Sequence, residues 1–212
     1  MTTRRTLQAL FFLFPLWGFL MGGGMLLLNR YETSPSPGGH APAQWPNETG
    51  LVLGEKDPTL VLFVHPYCPC TNATAGELER LVTQLGDGLT TYVIFLHPRS
   101  MPAEWHRTPL WTRIHSIPGV HVIDDLGSQL TRRFGAVTSG EAYLYSASGR
   151  LQFVGGITGA RGHSGDNPGS DAILSLVSGR ADSAGATPKS CPVFGCPLFE
   201  KTEMAHTAER ER

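Results

Sequence analysis

Residues 59–85 read TLVLFVHPYCPCTNATAGELERLVTQL, and this stretch decides the fold. Its first part, Thr59 to His65, is a continuous apolar run of the kind found in strands buried in parallel sheets. Its last part, Thr71 to Leu85, has apolar residues at helical spacing and polar residues between them. Cys68 and Cys70 lie between the two parts, so the pattern predicts a buried strand, a cysteine-bearing turn and a helix.

The sequence after residue 85 continues this alternation. We predict further strands at Thr91–Leu96, Val120–Ile123, Glu141–Tyr145 and Arg150–Val154, and further helices at Pro109–Ile117, Leu126–Phe134 and Asp171–Val177. Alternating strands and helices favour a parallel sheet with right-handed crossovers, and the last two strands read as a hairpin. The prediction is an α/β domain over residues 51–179, with a central mixed sheet of four or five strands and flanking helices.

The N-terminus has the pattern of a membrane anchor. Residues 9–28 carry no charge and are mostly apolar, which is about the length that spans a bilayer as a helix. Arg4 and Arg5 precede this run and favour an N-terminus on the cytoplasmic side. We predict one transmembrane helix within residues 1–30, with a cleaved signal peptide as the alternative. Residues 31–50, rich in Pro, Ser and Gly, are predicted to be a flexible linker.

Composition excludes some classes of function. The formal net charge is −1 and the basic residues are scattered, which argues against a nucleic-acid partner. Four cysteines in 212 residues, as the pairs Cys68/Cys70 and Cys191/Cys196, are too few for a disulfide scaffold. The second pair falls in residues 180–212, which we predict to be a polar linker and a cysteine-containing tail.

The turn at Cys68 and Cys70 suits thiol chemistry. Free backbone N–H groups and the positive end of the helix dipole stabilise a thiolate and lower the pKa of its thiol. A disulfide between residues two apart would be strained and easily reduced. Alternatively, the two thiolates together with His65 and His97 are a ligand set for copper or zinc.

The predicted topology indicates which other residues share this site. Parallel strands bring their carboxyl ends to one edge of the sheet, and the hairpin returns there, so residues 157–169 should hang over the cysteines. Arg161 would stabilise a thiolate or bind an acidic substrate, and His163 would carry protons at neutral pH. Alternatively, this is a glycine-rich turn in which Asp166 or Asn167 caps the last helix.

The tail pair allows three arrangements. Cys191 and Cys196 form a disulfide with each other, one of them resolves a disulfide at Cys68 or Cys70, or all four cysteines hold a metal. Apolar Val193 and Phe194 favour a tail docked in a groove.

The placement of a cysteine motif after the first buried strand resembles the thioredoxin-like superfamily over about residues 51–177. Two features depart from that pattern. The spacing is C-x-C, and residues 136–140, AVTSG, lack the proline that lies beside the cysteines in that superfamily. The missing proline argues against the usual mode of substrate binding and would open the site to a metal.

A narrower resemblance is to RedB-type proteins, a bacterial thioredoxin-like group. It rests on HPYCPC at 65–70, TSG at 138–140, GGIT at 155–158, RGHSGDN at 161–167 and PVFGCPL at 192–198. This resemblance implies membrane attachment and a redox role.

Three functions follow as hypotheses. The first is a thiol–disulfide oxidoreductase without a cofactor, anchored in the inner membrane with its soluble domain in the periplasm or elsewhere outside the cytoplasm. It would act on a redox partner protein through Cys68, Cys70 and Cys196, assisted by Arg161 and His163. The second is a copper-binding chaperone that uses the same cysteines and nearby histidines. The third is a redox-inert binding module.

Overall fold

The computed structural model describes residues 2–179 and 187–199, with the backbone alone for residues 2–10. It divides into two compact units, the N-terminal helix as far as Ser34 and a domain from Pro35 onward. Helix α1 spans Thr2–Thr33, and its part Phe11–Thr33 is long and apolar enough to cross a membrane. That length and composition fit a membrane anchor and equally fit a signal sequence.

Within residues 35–179 and 187–199, the domain is built on a six-stranded mixed sheet in the order β3-β2-β1-β4-β5-β6. The strands are β1 Thr59–Val64, β2 Thr90–His97, β3 Val120–Leu126, β4 Glu141–Tyr145, β5 Leu151–Gly156 and β6 Lys189–Ser190. β2 is parallel to β1 and β3, whereas β4 is antiparallel to both β1 and β5. The predicted fold class is therefore confirmed, with one more strand than expected because the tail adds β6.

In the described part of the domain, four α-helices and one short 3₁₀ helix flank the sheet. They are α2 Thr71–Leu85, the 3₁₀ turn Gly86–Gly88, α3 Pro109–His115, α4 Gln129–Arg133 and α5 Pro168–Val177. The predicted bounds of α2 and β4 agree with the structure, and those of the other elements shift by a few residues.

The sheet has an apolar core on each face. On one face, α2 and α5 bury residues such as Leu78 and Ile173 against Leu62. On the other, Phe63, Phe134 and Tyr143 form an aromatic cluster. Because successive strand residues point to opposite faces, the continuous apolar run of β1 supplies both cores.

Residues 35–50 are not the free tether that their composition predicts. The Trp45 ring packs edge-on against Phe134 and Tyr145, each with a centroid separation of 5.3 Å. The amide of His40 donates to the carbonyl of Gly135 at 3.0 Å. One aromatic anchor and a few backbone hydrogen bonds therefore hold this proline-rich segment on the domain. Of the polar linker and tail predicted at residues 180–212, residues 180–186 and 200–212 lie outside the described residues.

Candidate functional site

Cys68 and Cys70 lie where the sequence predicts, in the turn between β1 and α2. The amide of Cys68 donates to the carbonyl of His65 at 3.0 Å, and the amide of Thr71 donates to the carbonyl of Cys68 at 3.2 Å. The turn thus leads directly into the first turn of α2. Cys68 is only 2% exposed, whereas Cys70 is half-buried.

The tail docks beside this turn and brings a third cysteine to it. The amide of Ser139 donates to the carbonyl of Cys196 at 2.8 Å, and the amide of Leu198 donates to the carbonyl of Val137 at 2.8 Å. This antiparallel pairing places Sγ of Cys196 2.9 Å from Sγ of Cys68. The tail is therefore docked, as apolar Val193 and Phe194 predict, and Cys196 faces the motif.

Cys191 takes a different place in the tail. Its amide donates to the carbonyl of Val154 at 3.1 Å, so it lies along the outer side of β5. All four cysteines are free thiols. The structure therefore pairs Cys196 with the motif rather than with Cys191.

Glycines allow the tail to lie this close. A Cβ built on Gly195 would lie 1.8 Å from the carbonyl oxygen of Ser139, and one on Gly156 would lie 2.7 Å from that of Pro192. These are backbone atoms that cannot move aside. The glycines of the GGIT and PVFGCPL motifs are thus required by the contact between the tail and the sheet.

The three thiols differ in their electrostatics. A hydrogen bond from the thiol of Cys196, aided by bonds from Thr71, holds the pKa of Cys68 well below its usual range despite burial. The same hydrogen bond, together with burial, raises the pKa of Cys196. Burial and the negative charge on Cys68 raise the pKa of Cys70. These shifts favour Cys68 over Cys70 and Cys196 as the thiolate of the site.

Arg161 and His163 lie in the loop that was predicted to cover the cysteines. The guanidinium of Arg161 donates to the carbonyl of Gly195 and to Oγ of Ser36, the latter at 2.8 Å. Its positive charge lowers the pKa of Cys70 and Cys196, against the larger effects that raise them. His163 is exposed, and its Nδ1 lies 2.8 Å from the carbonyl of Arg161.

The rest of this loop has a structural role. Asn167 caps α5 by accepting from the amide of Ser170 at 2.8 Å, as the capping alternative predicts. The buried carboxylate of Glu77 accepts from the amide of Gly165 at 2.8 Å. Asp166 is fully exposed and does not act as the cap.

The histidines proposed as metal ligands with Cys68 and Cys70 do not join them. In the described part of the chain, the sulfurs of Cys68, Cys70 and Cys196 lie within 4.8 Å of one another, and His65 and His97 are not in this group. Nδ1 of His65 accepts from the amide of Tyr67 at 3.2 Å. His97 instead contacts Asp124, because it pairs with Leu126 and so lies on the same sheet face as residue 124.

Sequence reasoning missed two serines that hold the site together. Oγ of Ser139 accepts from the amide of His65 at 2.8 Å and lies 2.8 Å from Oγ1 of Thr71, tying the end of β1 to the start of α2. Ser36 accepts from Arg161 and donates its own amide to the carbonyl of Val193 at 2.7 Å. The TSG motif was the available signal for Ser139, whereas Ser36 lies in a segment whose composition indicates a linker.

The chain resembles several solved structures. A hypothetical protein from Sinorhizobium meliloti is 19% identical, with 79% of this chain and 96% of that chain covered and a TM-score of 0.55. An uncharacterised conserved protein from Geobacillus kaustophilus is 16% identical, with coverage of 80% and 92% and a TM-score of 0.54. An exposed lipoprotein thioredoxin from Streptococcus pneumoniae is 16% identical, with coverage of 59% and 86% and a TM-score of 0.44.

Neither a protein-family model nor a curated protein matches the chain. At the identities above, structural likeness shows the fold and not the activity. The mixed sheet, its flanking helices and the cysteine turn after the central strand together give the domain a thioredoxin-like fold.

Proposed function

We propose that this protein carries out thiol–disulfide exchange, with Cys68 as the attacking thiolate and Cys196 as the internal partner sulfur. The observation that carries the proposal is the 2.9 Å separation of their two Sγ atoms at the start of a helix. A thiolate is the reactive form of cysteine, and the depressed pKa of Cys68 provides it at neutral pH.

The exchange balances as two sulfur displacements. The thiolate of Cys68 attacks one sulfur of a partner disulfide, whose S–S bond breaks and whose second sulfur leaves as a thiolate. Cys196 then loses its proton and attacks Cys68 in the mixed disulfide, releasing the first partner sulfur as a thiolate. The chain ends with a Cys68–Cys196 disulfide, and the partner has gained two electrons. The reverse sequence oxidises a partner dithiol.

Cys196 suits the second step better than Cys70 does. A disulfide requires Cα atoms about 4.4–6.8 Å apart, and between residues two apart the bond can form only where the chain is bent and is then strained. Cys196 approaches Cys68 from a separate segment that is free of this restriction. The motif cysteine Cys70 is then a secondary thiol of the site.

The docked tail also indicates how a partner would bind. Cys68 is buried under a tail that pairs edge-to-edge with residues 137–139, and such pairing is a common mode of peptide recognition. A partner segment that carries a disulfide would displace the tail and pair with the same backbone groups, and the returning tail would then bring Cys196 to the mixed disulfide. The exposed Tyr67 beside the motif would be part of its contact surface.

Single-turnover exchange tests the proposal. The reduced full-length chain, in detergent, is mixed with a small peptide disulfide, and the released thiols are counted while adducts are mapped by mass spectrometry. Wild type and Cys70→Ser should release both peptide thiols, whereas Cys196→Ser should stop at a mixed disulfide on Cys68. Cys191→Ser is the matched control and should behave as wild type. Completion of the reaction by Cys196→Ser at the wild-type rate would refute the role of Cys196.

Copper binding is a second candidate function. Three sulfurs within 4.8 Å of one another form a soft ligand set that suits Cu(I). If copper is the cargo, the reduced chain should bind one Cu(I) in competition with a chromophoric chelator, and Cys196→Ala should weaken that binding more than Cys191→Ala. Failure of the reduced wild-type chain to compete with the chelator would reject copper.

We further propose that the domain lies outside the cytoplasm, anchored by residues 9–28 in the inner membrane. Arginines before the apolar segment and a thiol pair suited to an oxidising compartment support this placement, as does the resemblance of the motifs to RedB-type proteins. The intact mass of the chain purified from membranes tests it. An uncleaved chain that resists alkaline extraction is expected, and a chain starting after the apolar segment would identify a signal sequence.

A further inference from the structure

A second group of ligand-type side chains lies near the cysteine turn but belongs to different elements. His97 ends β2, Asp124 lies in the neighbouring strand β3, and His106 comes from the connection between β2 and α3. His97 and His106 are 2% and 6% exposed, whereas Asp124 is partly open to solvent. One ligand atom from each lies within 4.8 Å of the others.

The hydrogen bonds of His97 leave one of its nitrogens facing a carboxylate. Nε2 lies 3.1 Å from the carbonyl oxygen of Pro102, and since a carbonyl only accepts, Nε2 carries the proton. In a neutral imidazole, Nδ1 then has a bare lone pair, yet it lies 2.8 Å from Oδ1 of Asp124. Two lone pairs at this distance require a positive charge between them, either a proton or a metal ion.

His106 indicates which of the two it is. Its Nδ1 is buried, has no hydrogen-bond partner in the described part of the chain, and lies 3.4 Å from the same Oδ1 of Asp124. A buried polar atom without a partner is unfavourable. One proton between His97 and Asp124 would leave this nitrogen unsatisfied, whereas one metal ion would satisfy all three atoms.

We propose that His97, His106 and Asp124 bind a divalent transition-metal cation, through Nδ1 of each histidine and the carboxylate. The two histidine Nδ1 atoms lie 2.8 and 3.4 Å from Oδ1 of Asp124. Two ligand atoms that each lie about 2.0–2.2 Å from a common ion have such separations when the ligand–metal–ligand angle is about 85–115°. The bond from Nε2 of His97 to Pro102 is the outer hydrogen bond that orients a metal-binding histidine. Imidazole and carboxylate ligands suit Zn²⁺, Ni²⁺ or Cu²⁺.

The site is connected to the cysteine turn through Trp105. Its ring stacks against His97 with a centroid separation of 6.2 Å and contacts His65 and Tyr67 at 5.4 and 5.3 Å. A bound ion would fix residues 98–108 and therefore the position of the Trp105 ring against His65 and Tyr67 beside the cysteine turn. The site is separate from the sulfur chemistry and stands whether or not the exchange reaction occurs.

Zinc titration of the full-length chain tests the inference. All four cysteines are changed to serine so that sulfur cannot bind the metal, and Zn²⁺ is titrated in competition with a chromophoric chelator. One equivalent should bind, and His106→Gln and Asp124→Asn should each weaken binding by at least about 100-fold. The matched control is His121→Gln, which changes an exposed histidine of β3, the strand that carries Asp124. This variant should bind zinc as its parent does.

Two further measurements keep the result decisive if a variant unfolds. Circular dichroism shows whether each variant is folded, and the wild-type chain with alkylated thiols repeats the titration without substitutions at the sulfurs. Co²⁺ added to the alkylated wild-type chain should give visible ligand-field absorption, and added Zn²⁺ should abolish it. If the folded parent binds zinc no more tightly than His106→Gln does, only a proton is shared between His97 and Asp124, and the proposal is overturned. It is also overturned if His121→Gln weakens zinc binding as much as His106→Gln does.

Discussion

Removing the thiol of Cys196 should raise the pKa of Cys68. In the structure the Cys196 thiol is the largest single cause of the depressed pKa of Cys68, ahead of the bonds from Thr71. Cys196→Ala deletes this donor. The thiolate form therefore loses a charge-assisted hydrogen bond.

The size of the effect follows from the strength of that bond. A hydrogen bond to a charged acceptor contributes about 1.5–3 kcal/mol, and a thiol is a weak donor, so the lower end applies. Since one pKa unit corresponds to about 1.4 kcal/mol, the pKa of Cys68 should rise by about 1. Cys196→Ser keeps a hydroxyl donor at the same position and should give a smaller rise.

The assay is the ultraviolet absorbance of the thiolate as a function of pH. It uses the reduced chain with Cys70→Ser and Cys191→Ser, so that Cys68 is the thiol that titrates at low pH. The rate of alkylation at Cys68 gives the same pKa independently. A pKa of Cys68 that is unchanged by Cys196→Ala, or that rises as much in Cys196→Ser as in Cys196→Ala, would refute this explanation.

Three other predictions concern the packing that holds the site. Gly195→Ala should displace the tail, because the added Cβ would collide with the carbonyl of Ser139. Hydrogen exchange at the Ser139 amide, which donates to the tail, should then accelerate at least about tenfold. The control Gly88→Ala, whose Cβ meets nothing within 4 Å, should leave that rate unchanged. Arg161→Gln should raise the pKa of Cys70, measured by thiolate absorbance in a chain that keeps Cys70 and carries only Cys191→Ser, and should increase tail proteolysis. Arg161→Lys should restore the charge effect but not the paired bonds to Gly195 and Ser36. Burial raises the pKa of Glu141, so between pH 4.5 and the raised value the folded state binds more protons than the unfolded state, and stability should fall as pH rises through this range. Glu141→Gln should abolish this pH dependence in urea denaturation. It should also destabilise the fold by about 1–3 kcal/mol, because an amide oxygen cannot accept from all the backbone donors of the carboxylate.

The strand, turn and helix around the C-P-C motif were predictable because the determinants are local. Burial on both faces makes β1 continuously apolar, and the amphipathic spacing of α2 fixes its face and bounds. The fold class followed from the order of such segments, since parallel strands need intervening helices.

The contact that defines the site was only partly predictable. Cys196 is 128 residues from Cys68, and no periodicity encodes a pairing at that distance. The sequence shows glycines at 156 and 195, but a glycine does not identify which backbone approaches it. His97 ends β2 at the sheet edge, and the direction of its side chain depends on its register with β3, which the sequence does not show.

The most direct test is a disulfide map of the full-length chain after mild oxidation in a glutathione buffer. The thiols remaining are blocked, the chain is digested without reduction, and linked peptides are identified by mass spectrometry. Our account predicts a Cys68–Cys196 linkage as the first and principal disulfide, formed equally in Cys70→Ser and Cys191→Ser. A principal linkage of Cys68 to Cys70, or of Cys191 to Cys196, would contradict it.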